Sequence, residues 1–117
     1  MKDQAFLKSW IAALRSGDYK QGKGSLCSWG AYCCLGVGAD LMGRLVEDGR
    51  GSSGVLDFEG DLHVDMLPWS WRDSGPFAGA DLDKLARMND GEPRGVDGVS
   101  FVEIADFLEK TYLTPSK

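Results

Sequence analysis

"AYCCLGVGADLMG" occupies residues 31–43, and its reading decides the fold. Two adjacent cysteines precede a Gly-x-Gly step, and Leu35, Leu41, Met42 and Leu45 follow at helical spacing. A short strand running into a helix, 35–45, accounts for this order. Upstream, "KGSLCSWGAYCCL" reads as a hairpin with Trp29-Gly30 at its turn. Gly36 and Gly38 suit a tight strand-to-helix junction, where glycine permits close packing or a positive φ. They do not complete a dinucleotide fingerprint. Gly43 comes too late for the third glycine, and the chain does not alternate strand and helix.

Around this junction the remaining elements follow in order. Phe6, Leu7, Trp10, Ile11 and Leu14 share one face of a helix over residues 3–16, which Gly17 ends. "DGRGSSG", residues 48–54, is a loop by composition. Residues 55–58 and 62–66 form a second hairpin turning at Glu59-Gly60-Asp61, with Leu62, Val64 and Met66 alternating against His63 and Asp65. "LPWSWRDSGPFAG" is irregular, broken by Pro68 and Pro76. A short helix over 81–88 is ended by Asn89-Asp90-Gly91, and "EPRGVDG" is a loop. Ser100 and Glu103 then form a capping box, with Val99 and Ile104 placed as a hydrophobic staple. Phe101, Ile104, Ala105 and Leu108 are the buried face of that last helix, and Pro115 prevents its continuation.

These elements predict an α+β domain: a small antiparallel or mixed sheet of two hairpins packed against four helices. Residues 1–117 suit one globular domain, since 117 residues can bury a core without disulfide or metal staples. No apolar run reaches a membrane span, and the N-terminus lacks a signal peptide's apolar core. The expected location is cytoplasmic, and the three cysteines are expected to be free thiols there.

Charge narrows the function. Residues 1–50 carry seven basic and five acidic side chains (+2), and residues 51–117 carry six and thirteen (−7), together the chain's −5. General nucleic-acid binding needs a basic footprint that this chain lacks.

Four groups of residues are weighed for chemistry. Cys27, Cys33, Cys34 and His63 have the spacing C-x5-C-C, not the paired-thiolate knuckle of a zinc site, so no metal and no cofactor is expected. Cys34 at a helix start, with His63 and Asp65 on a later strand, would make a nucleophile, base and orienter. The plain alternative is that free cysteines pack as small hydrophobes. Arg15, Tyr19, Lys20 and Lys23 around "RSGDYKQGKG" could hold a phosphate-bearing ligand, or could line a solvated loop. Trp69 and Trp71 are either partner anchors or lids on the core.

The whole layout carries a resemblance. "WIAALRSGDYKQGKG" from Trp10, "AYCCLGV" from Ala31, "LP" at 67–68, "LARMNDG" from Leu85 and "SFVEIADFLE" from Ser100 resemble a group of small bacteriophage and prophage proteins. The resemblance implies a virally encoded accessory protein in a bacterial cytoplasm, of the kind that blocks a host defence or redirects a host enzyme. The expected function is therefore binding: of a host bacterial protein, of a small nucleotide-like signal, or of a second copy of the chain. A small cysteine-dependent hydrolase or transferase using Cys34 and His63 is the alternative.

Overall fold

A computed structural model of the chain describes residues 3–68, 71, 76–91 and 98–113. Its elements are α1 (Gln4–Ser16), β1 (Lys20–Gln21), β2 (Cys27–Ser28), β3 (Ala31–Tyr32), α2 (Cys34–Leu41), β4 (Val46–Glu47), β5 (Ser52–Leu56), β6 (Leu62–His63), α3 (Leu82–Asp90) and α4 (Phe101–Tyr112). The α+β class holds and each of the four expected helices is present, with α2 ending at Leu41 and α3 running on through Asp90. The sheet is mixed, in the order β1-β3-β2-β5-β4, with β6 also paired to β5. Only β1 and β3 run parallel.

The first hairpin turns where expected. Trp29 (φ 52°) and Gly30 (φ 80°) are both left-handed, the demand of a type I′ turn between twisted strands. The expected loop over 48–54 is a correction. Its second half is β5, the strand that holds the sheet together. Ser52 and Ser53 pair with Ser28 and Cys27, and Ser53 and Gly54 pair with Glu47 and Val46. Composition describes local preference, and here non-local backbone pairing outweighs it. Only 48–51 remain a turn, held by the Asp48 carboxylate accepting from the Arg50 and Ser52 amides.

Helix α2 is shorter than its apolar spacing predicts. Gly43 takes a left-handed φ of 68°, its N–H donates to the Asp40 carbonyl, and Arg44 N–H donates to the Ala39 carbonyl. That Schellman pattern closes the helix before Leu45.

The core gathers Leu7, Trp10, Ile11 and Leu14 of α1, Leu35, Val37 and Ala39 of α2, Val55 of β5, Phe77, Leu85, and Phe101, Ile104 and Leu108 of α4. Helices α1 and α4 run antiparallel: Gln4 at one end bonds the Tyr112 carbonyl, and Arg15 at the other pairs with Asp106 and Glu109. The capping box is formed in its forward arm, Ser100 Oγ accepting from the Glu103 N–H at 3.3 Å. Ser100→Ala should lower unfolding free energy by about 1 kcal/mol, read as a shifted urea midpoint at constant slope. An unchanged midpoint would show that this cap contributes nothing.

Candidate functional site

The Cys-Cys-Leu-Gly junction is built into the core. Cys33 is the N-cap of α2, its Sγ accepting from the Gly36 N–H. Cys34 is wholly buried, its thiol donating to the Leu85 carbonyl at 3.5 Å. Burial pushes the Cys33 thiol up to about 11 and drives that of Cys34 well above the ordinary range. This is the reverse of an activated nucleophile, which needs a stabilised and accessible thiolate. The helix start is where the sequence places it, but desolvation outweighs the helix N-terminus.

The rest of the expected triad is not assembled. His63 Nε2 lies 2.7 Å from Asp57 Oδ2, so its carboxylate partner is Asp57, not Asp65. Cys34 bonds instead to Asn89 and Leu85. The Asp57 carboxylate also accepts from the Glu59 and Asp61 amides. Its pKa is lowered, first by the bond from His63 and then by the Asp61 amide. The pair closes the second hairpin turn, with β6 partnered to β5 through Val55↔His63 and Leu56↔Leu62. Among the described residues no three His, Cys, Asp or Glu side chains gather to hold a metal ion.

The basic group is dispersed as well. Arg15 is committed to Asp106 (2.6 Å) and Glu109 (3.0 Å). Tyr19 donates to Asp40 at 2.6 Å and stacks edge-on to Tyr32. Burial, followed by that bond, pushes the Tyr19 hydroxyl up to about 12. Lys20 and Lys23 are exposed. A phosphate near Tyr19 would meet the Asp40 carboxylate.

Trp71 packs its ring 6.1 Å from that of Phe77 and belongs to the margin of the core. Trp69 lies outside the described residues, as do residues 92–97 of the expected loop and Pro115.

One surface feature was not singled out by sequence. Side chains alternate along β5, so Val55 enters the core and Leu56 faces away from it. Leu62 lies opposite Leu56 on that outer face, whereas Val46 lies opposite Gly54, where the His63–Val64 backbone covers the sheet. All three are more than a third exposed. Phe58 at the tip of the second hairpin is 89% exposed, and Trp29 at the tip of the first is 82% exposed. The Trp29 ring lies over Gly51, where an added Cβ would come within 2.7 Å of it. Between them Ser28 and Ser52 join through their hydroxyls at 3.2 Å. Leu56 and Leu62, with Phe58 at the tip of the same hairpin, offer exposed apolar side chains of the kind that anchor a protein partner. Sequence alternation gave Leu62 to the buried face, because only the tertiary structure shows which side of a hairpin the helices cover.

A family model described as a domain of unknown function (DUF8296) matches residues 1–51. That segment includes α1, the first hairpin, α2 and β4, and stops before β5. No curated protein and no solved structure matches the chain.

Proposed function

We propose that this chain is a phage-encoded accessory protein that acts without turnover, by docking on a host protein in the bacterial cytoplasm through the outer face of its sheet. The carrying observation is the exposure of Leu56 and Leu62, paired on the outer face, with Phe58 at the tip of the same hairpin. Burying one such side chain in an interface is worth about 1.5–3 kcal/mol, so few are needed to anchor a complex. Interference with a host defence is the role that the phage-like layout suggests. The burial of Cys34 removes support from the hydrolase alternative. The commitment of Arg15 and Tyr19 to carboxylates removes support from a sequestered nucleotide. No described helix is long and apolar enough to cross a membrane.

Photo-cross-linking tests this reading. Benzoyl-phenylalanine at position 58 or 29, in protein expressed in bacteria, should give an adduct of discrete mass. The same probe at Val102, an exposed apolar position on α4, should not. Leu56→Ser with Leu62→Ser should remove the adduct while leaving the fold intact. Equal adducts from position 102, or none from 58 and 29, would overturn the proposal.

A further inference from the structure

The charge around the outer face identifies the chemistry of its occupant. Residues 46–65 hold six carboxylates, Glu47, Asp48, Asp57, Glu59, Asp61 and Asp65, against Arg50 alone, a local charge of −5 with His63 neutral. The whole chain is also −5, so the other residues balance, twelve acidic (18 − 6) against twelve basic (13 − 1). The entire net charge therefore lies in the segment that carries the exposed apolar side chains Val46, Leu56, Phe58 and Leu62. Glu59 and Asp61 flank Phe58 and Leu62 in the second hairpin turn. Both are exposed, and no described basic side chain forms an ion pair with them.

We infer that the occupant of this face is a basic segment of a partner protein in which Lys or Arg alternates with apolar residues. It rests on the docking reading above. The apolar side chains would cover Leu56, Leu62 and Phe58, while the cations meet Glu59 and Asp61 at the border. Such an arrangement steers association and selects partners by sign. It also excludes other occupants of an apolar face. A second copy would bring another −5 segment against the first, and an anionic bilayer or nucleic acid would be repelled in the same way.

The test uses the full chain and fluorescently labelled ten-residue peptides read by anisotropy: alternating lysine and leucine, alternating glutamate and leucine, and alternating lysine and serine. The lysine–leucine peptide should bind at least about tenfold more tightly than either other peptide, and its affinity should fall severalfold between about 50 and 300 mM salt. Glu59→Lys with Asp61→Lys should weaken it about tenfold or more. Leu56→Ser with Phe58→Ser should do likewise, whereas Asp18→Lys, distant in sequence from this face, should change it less than about twofold. Circular dichroism should show every variant folded. Equal binding of the glutamate–leucine peptide, indifference to salt, or no binding up to about 1 mM would overturn the inference. If position 58 still cross-links in cells while the lysine–leucine peptide fails, the docking reading stands and the charge inference falls. Loss of the cross-link at 58 and 29 overturns both.

Discussion

Gly36→Ala should leave little or no folded protein. A Cβ at this position would lie within van der Waals overlap of the Leu26 carbonyl, 1.7 Å from its oxygen and 2.6 Å from its carbon. That carbonyl cannot retreat cheaply. It accepts from the Cys33 N–H at 3.2 Å, and the Leu26 N–H is tied to the Val64 carbonyl at 2.6 Å. Relief would require separating α2 from the sheet, and with it the Leu35 and Val37 side chains from the core. Overpacking against movable side chains usually costs about 1–3 kcal/mol; against fixed backbone the loss should reach about 4 kcal/mol or more. Two neighbours calibrate it. Gly38→Ala meets the Phe77 ring at 2.6 Å, which can tilt, so it should fall within the ordinary range. Gly24→Ala has open space but a φ of +80° and should cost about 1 kcal/mol. Urea denaturation of the soluble fraction gives the order. A Gly36→Ala protein with the parent midpoint would mean that α2 does not pack against the Leu26 carbonyl.

Asn89→Ala should be the most damaging change to a polar side chain. Asn89 is the one fully buried polar residue among those described. Its Oδ1 accepts from the Cys34 N–H (3.1 Å) and from Gln21 Nε2 (3.0 Å), and its Nδ2 donates to the Gly22 carbonyl (2.8 Å) and to Asp90 Oδ1 (3.0 Å). Gln21 extends the network to α4, donating to the Val99 carbonyl and accepting from the Phe101 N–H. One amide thereby caps α2 from across the core and ties the end of α3 to β1 and the start of α4. Truncation strands the Cys34 N–H and the Gly22 carbonyl, at about 1–3 kcal/mol for each buried orphan, so about 3 kcal/mol in total is expected. Asn89→Asp keeps the acceptor but loses the donor and sets a carboxylate beside Asp90. Its folded-state pKa would be raised, so its stability should decline as pH rises above the unfolded carboxylate's value. Chemical denaturation at pH 5 and pH 8 would show this. An Asn89→Ala midpoint within error of the parent would refute the network's role.

These two residues also mark what sequence could and could not reveal. The start and buried face of the last helix were legible to the residue, because Ser100, Glu103 and the Phe101-Ile104-Ala105-Leu108 stripe are local signals. So was α1, ended by a left-handed Gly17, and so was the Trp29-Gly30 turn. Asn89 reads locally as a helix stop, yet it stays within α3, and its partners on β1 and α2 lie 55 to 68 residues away. No spacing rule connects them. The first half of strand β5, residues 52–54, was hidden by serine and glycine, whose pairing with β2 and β4 depends on segments folded elsewhere. The cysteines at the start of α2 were placed correctly, but their reactivity depends on burial, which the motif does not encode. Leu56, Phe58 and Leu62 sit in a recognisable hairpin, but their exposure follows from which side of the sheet the helices cover.

The most direct test of the central claim, that the outer sheet face and not the buried cysteine carries the activity, is the cross-linking yield at position 58 in two paired backgrounds. In a Cys34→Ala, His63→Ala protein that still folds, the account predicts an adduct of the same mass and comparable yield. In a Leu56→Ser, Leu62→Ser protein it predicts that the adduct disappears. An adduct that survives loss of the apolar face and vanishes with Cys34 would contradict it.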